Sequence, residues 1–129
     1  MKFNKSLMAA AVTFAISSTA QAASVSYFFD SGFVDTSREA VNQRADLVGA
    51  GNTVTNFAGT GDAAWASALT GVDALVIAEQ ERGALTSSLS ATTKTAIANF
   101  VTNGGNLAIA ESGSHLGLAL LNSVFGTSF

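Results

Sequence analysis

The chain has 129 residues, 48% of them hydrophobic, with nine acidic against six basic side chains, a net charge of −3, no cysteine and no proline. This is too apolar for a disordered chain, and it lacks the basic footprint that a nucleic-acid partner demands. Disulfides, thiolate nucleophiles and Cys-ligated zinc are excluded outright.

The first 22 residues have the three-part order of a secretory leader: Lys2 and Lys5, an apolar run from Leu7 to Ile16, and small residues at Ala20 and Ala22. The run is too short to span a bilayer core of about 30 Å as a helix. Cleavage after Ala22 removes both lysines and leaves four basic residues against nine acidic ones, a net charge of −5. The remaining 107 residues suit one domain over 23–129 with no membrane span. The address expected is outside the cytoplasm, in the periplasm, on the cell surface or in the medium.

After the leader, strand and helix patterns alternate. Ser24 to Asp30, SVSYFFD, is aromatic and β-branched and reads as a first strand. A helix is expected from Thr36, where Thr36 and Glu39 have capping-box spacing and Val41, Ala45 and Val48 share a face. Thr53 to Phe57 is a second, more polar strand, and a short helix from Asp62 carries Trp65 and Leu69 before Gly71. Val72 to Glu79 holds an unbroken apolar core, as in a strand covered on both faces. A helix from Ser90 presents Ile97, Phe100 and Val101 to the core and closes at Asn103 to Gly105. The fourth strand begins at Asn106, and Leu116, Leu120 and Val124 then recur at helical spacing up to Gly126.

Strands alternating with helices imply right-handed crossovers and a parallel sheet, hence an α/β three-layer sandwich. The expected order is flavodoxin-like, 2-1-3-4, with the polar second strand at one edge. The fourth strand is apolar from Leu107 to Ala110 like an interior strand, yet one short helix follows it before Phe129. Either a fifth strand belongs to a longer chain, or that edge is covered by self-association or by a partner strand.

The run from Asp73 to Gly117, DALVIAEQERGALTSSLSATTKTAIANFVTNGGNLAIAESGSHLG, resembles the central part of the class I glutamine amidotransferase-like superfamily. In that superfamily an acidic residue opens a buried strand, a helix leads to a double glycine, and the next strand ends in a sharp turn. As a pattern of elements the resemblance extends from Ser24 to Gly126. Catalytic members carry a cysteine in a Gly-x-Cys-x-Gly elbow. Here Gly113, Ser114, His115, Leu116 and Gly117 keep both glycines and set His115 in the cysteine's place. The resemblance therefore implies a flavodoxin-like fold in a divergent branch without the nucleophile, and no Cys-His-Glu triad can be assembled.

Open parallel sheets bind ligands outside the carboxyl ends of their strands. Those ends carry Asp30 with Ser31, then Glu79, Gln80 and Glu81, then Glu111, Ser112, Ser114 and His115. Asp30, Glu79, Glu111 and His115 could ligate a divalent cation. Glu79 or Glu111 could instead orient His115 as a base beside Ser112 or Ser114, the minimal equipment for hydrolysis. Plain structural roles fit the same residues: Ser112 and Ser114 are good helix caps, and Glu111 suits a helix N-terminus. No cofactor is indicated. The role expected is a noncatalytic binding or assembly module, with a divergent hydrolase around His115 as the alternative. N-terminal sequencing of exported protein is expected to begin at Ala23 or within a residue or two of it, and a product retaining Met1 would remove the leader reading.

Overall fold

The computed structural model describes residues 21–111 and 113–129. The leader at 1–22 falls outside the described residues except for its last two positions. Four strands, β1 (Ser24–Phe28), β2 (Thr53–Phe57), β3 (Ala74–Ile77) and β4 (Asn106–Ile109), form one sheet in the order β2-β1-β3-β4. All three pairings are parallel and one-to-one, β1 meeting β2 from Ser24↔Thr53 and β3 meeting β4 from Ala74↔Asn106. The connections are α1 (Glu39–Gly49), α2 (Asp62–Ala68), a short α3 (Leu85–Ser88) with α4 (Ala91–Thr102), and α5 (Leu116–Phe125) follows β4. The expected flavodoxin-like arrangement is present.

Successive residues of a strand face opposite sides, and the central strand uses both. The Tyr27 hydroxyl lies 2.9 Å from the Ala40 carbonyl and 2.8 Å from Gln43 Oε1, so it shares its proton with α1. Burial pushes this phenol up to about 12, against a smaller pull from Arg44. Phe28 points the other way, its ring stacked on Trp65 of α2 with centroids 5.3 Å apart, and Phe57 meets Trp65 edge-on at 5.0 Å. The indole N–H donates to the Gly59 carbonyl at 3.0 Å, so the ring is fully buried without an orphaned donor. α4 packs on α2 and α5 on α4, so these three helices share the Phe28 face.

Two local expectations change. The Thr36 capping box does not form: Asp35 Oδ1 takes the Ser37 N–H and hydroxyl in a local turn, and α1 starts at Glu39 after Arg38. The inward stripe of α1 is then Ala40, Gln43 and Leu47, while Val41 and Val48 stay 42% and 46% exposed. At α4 the expected start holds, with Ser90 Oγ accepting the Thr93 N–H at 3.0 Å. Asp62 accepts from the hydroxyls of Ser90 and Thr93, pinning the start of α2 to the start of α4.

Trp65 closes the aromatic cluster, so Trp65→Ala should cost about 3–5 kcal/mol of unfolding free energy. Because the chain has one tryptophan, the check is urea denaturation followed by far-UV circular dichroism. A loss below about 1 kcal/mol would mean the cluster is not a core element.

Candidate functional site

The connections of β1 and β3 depart in opposite directions, so the topological switch point lies between these two strands. There the chain has latched its own loops together. Val34 and Gln80 form an isolated antiparallel bridge, and the Arg82 N–H donates to the Phe33 carbonyl at 3.0 Å. Gly83 permits the crossing, since a Cβ there would stand 2.8 Å from the Gly32 carbonyl oxygen and 3.1 Å from the Phe33 ring. Val34 and Gln80 are fully buried. Gln80 Oε1 accepts the Leu85 N–H at 2.8 Å and so starts α3, while its Nε2 is buried without a partner.

Around this latch the anticipated rim residues separate by role. Asp30 is committed to loop structure, one carboxylate oxygen accepting the Gly32 N–H and the other the Gly59 N–H, both at 2.8 Å. Glu111 Oε2 accepts the Leu118 N–H at 2.6 Å, a helix-capping bond at the first turn of α5. Its Oε1 lies 3.6 Å from His115 Nδ1, so the structure does bring Glu111 and His115 together. The imidazole is 76% exposed. His115 has a left-handed backbone, φ 59°, the one such non-glycine among the described residues. Gly117 is required two residues on: a Cβ there would meet the Ala110 carbonyl oxygen at 2.7 Å and Glu111 Oε2 at 2.8 Å. Ser114 is exposed in the same turn, and Ser112 lies outside the described residues. Glu79 is half-buried at the end of β3.

The group of candidate metal-binding side chains that does assemble among the described residues is different: Asp35, Glu39 and Glu81, with ligating oxygens within 4.8 Å of one another. The Val34–Gln80 bridge draws these carboxylates together from segments more than forty positions apart. Asp35 Oδ1 also faces Arg82 Nη2 at 3.1 Å. Hydrogen bonds from Ser37, then the charges of Arg82 and Arg38, hold the Asp35 carboxyl below its ordinary range. Glu81 is pushed upward by partial desolvation and then by repulsion from Glu39, Glu79 and Asp35, against Arg82. A cation here would compete with the Arg82 guanidinium for Asp35. In the sequence, Glu79 to Arg82 has the look of a solvated loop, and the only local hint is the Asp-x-Ser turn at Asp35.

Of the clefts elsewhere among the described residues, two adjoin the strands of the sheet. One of about 660 Å³ opens at the amino ends of β3 and β4 between the C-terminal parts of α2 and α4, lined in part by Leu69, Asn99, Phe100 and Asn103. Its carboxylate, Asp73, is tied to the Ser24 N–H and hydroxyl, both at 2.8 Å. The second, about 380 Å³, runs beside β4 under α5 and is lined by Leu107, Ile109, Gly117, Leu118 and Leu121, with Glu111 at its end. β4 has no neighbouring strand on its outer side among the described residues. The N–H groups of Asn106 and Ala110 donate inward to the Asp73 and Ile77 carbonyls, so by alternation Leu107 and Ile109 turn their N–H and C=O outward. No helix among the described residues is long and apolar enough to cross a membrane.

Compared with known proteins, the chain matches no family model, no curated protein and no solved structure, which leaves its own geometry as the ground for a functional reading.

The acidic latch makes a pH-dependent statement. A carboxyl whose folded pKa is raised destabilises the fold when ionised, and that penalty disappears as pH falls through the folded value. Glu81→Gln should therefore raise the thermal midpoint at pH 7, with the gain fading under acid. Asp35 has the opposite sign, its stabilisation being present above the unfolded pKa and lost as pH falls, so Asp35→Asn should lower the midpoint at pH 7. Thermal scans of both variants across pH check the pair, and a lower midpoint for Glu81→Gln at pH 7 would remove this account of desolvation and repulsion.

Proposed function

We propose that this is an exported, noncatalytic binding or assembly module whose working surface is the open edge of β4 together with the apolar groove under α5. The observation that carries the reading is the outward backbone of Leu107 and Ile109 beside that groove. An exposed strand edge supplies main-chain hydrogen bonds to an incoming extended segment, and an adjoining apolar groove takes its alternate side chains. The tripartite leader pattern supports export. The commitment of Asp30 to two loop amides and of Glu111 to the α5 cap supports a structural role for the rim.

One observation favours the divergent hydrolase instead. His115 occupies a left-handed turn between Gly113 and Gly117, with a carboxylate oxygen 3.6 Å from its ring, where the amidotransferase-like resemblance sets the nucleophile. The two readings differ in which residue matters. A fluorescein-labelled peptide Gly-Asn-Leu-Ala-Ile-Ala, titrated with protein diluted until it sediments as a monomer, should bind saturably by anisotropy. Leu118→Glu, which places a charge in the groove, should weaken it by at least about tenfold, and His115→Ala should bind as the unaltered protein does. No saturable binding, together with p-nitrophenyl acetate hydrolysis that disappears in His115→Ala, would transfer the function to the rim.

A further inference from the structure

We propose that the occupant of the β4 edge is a second copy of this chain, paired antiparallel to the first about a two-fold axis through Ala108; this rests on the strand-accepting reading above and names its partner. The backbone decides the register. A two-fold axis perpendicular to a sheet leaves each side chain on its own face, so residues opposite one another must differ by an even number of positions. Centring on Ala108 sets Leu107 against Ile109 of the second copy and Ile109 against Leu107 of the second copy. These are the residues whose N–H and C=O point outward, so each pair exchanges two hydrogen bonds, giving four in all. Centring on Leu107 would call on Gly105, whose N–H is already given to the Phe100 carbonyl at 2.9 Å.

The side chains fit the same register. Ala108 falls at the narrow, non-hydrogen-bonded position on the axis, where opposing Cβ atoms approach to about 4.5–5.5 Å and a small residue is suited. Ile109 faces α5, since a Cβ on Gly117 would stand 3.1 Å from its Cγ2. The Leu107 and Ile109 side chains of the second copy therefore arrive on the α5 face, beside Leu118 and Leu121 in the groove.

Charge permits this partner even though the net charge of the chain is −3. Two acidic copies can meet only where like charges are absent, and after Lys94 the one formally charged side chain is Glu111. In the antiparallel register Glu111 lies opposite Gly105 of the second copy, six positions or about 20 Å along the strand from the other Glu111. The devices that keep edges from pairing are also missing from β4: it has no charge, no proline and no bulge in its one-to-one register with β3.

The test is sedimentation velocity of the purified protein across a concentration series. The unaltered chain should be a dimer, and Ala108→Lys should weaken association by at least about tenfold, because the two ammonium groups would face each other on the axis. Ala108 is exposed, so unchanged far-UV circular dichroism should accompany the loss. An equimolar mixture of Ala108→Lys and Ala108→Glu should restore the dimer, a rescue that damage to the fold would not give. A dimer indifferent to Ala108→Lys would place the contact elsewhere and overturn the proposal. A chain monomeric throughout, yet still binding the labelled peptide, would overturn the second copy and leave a strand-accepting edge for a different chain. A monomer that also refuses the peptide would remove both.

Discussion

A parallel strand pair cannot be closed by a hairpin, and every strand pair in this sheet is parallel. Each connection must therefore cross over the sheet, and right-handedness decides which face it crosses. The step from β1 to β2 goes one way and carries α1; the steps to β3 and β4 go the other way and carry α2 and α4. Tyr27 and Phe28 register this division in two neighbouring residues, one bonded to α1 and the other stacked on Trp65 of α2. The position of the switch point, the burial of β1 and β3, and the places of β2 and β4 at the edges all follow from it.

Much of this was legible as pattern. Alternating runs announced the strands, the polar Thr53 to Phe57 announced an edge, and Trp65 announced core because it recurs with Leu69 on a short helix. What remained hidden was set by tertiary partners. Periodicity on α1 offers two stripes, and Val41, Ala45 and Val48 make the more apolar one. The stripe that turns inward includes Ala40 and Gln43 because the buried Tyr27 hydroxyl needs acceptors there. Likewise α3 has no hydrophobic pattern of its own; it begins where the Gln80 side chain receives the Leu85 N–H.

The site was legible in address and not in composition. Strand ends can be read from sequence, and with them the rim where acidic residues gather, on which Glu111 and His115 lie 3.6 Å apart. The Val34–Gln80 bridge joins residues 46 positions apart, and no local rule announces it. That bridge brings Glu81 to Asp35 and Glu39, while Asp30, two residues beyond β1, is drawn instead to the loop after β2. The same type of side chain thus becomes a loop tie, a helix cap or a member of a crowded cluster, according to which backbone N–H groups lie within reach.

Charge is distributed to match these two ends of the sheet's central region. Asp35, Glu39, Glu79, Glu81 and Arg82 collect over the β1–β3 junction, where desolvation first, and then the nearby like charges, push Glu81 upward. β4 and α5, from Asn106 to Phe125, hold Glu111 as their sole formal charge, and that carboxylate is engaged by the Leu118 N–H. β2, the other edge, is guarded differently: its residues are mostly polar, and Asn56 is held by Arg44 from α1 at 2.8 Å. An edge strand that is neutral and apolar lacks the usual protection against pairing. Among the described residues the β4 edge thus lies across the sheet from the polar β2 edge and away from the charged latch.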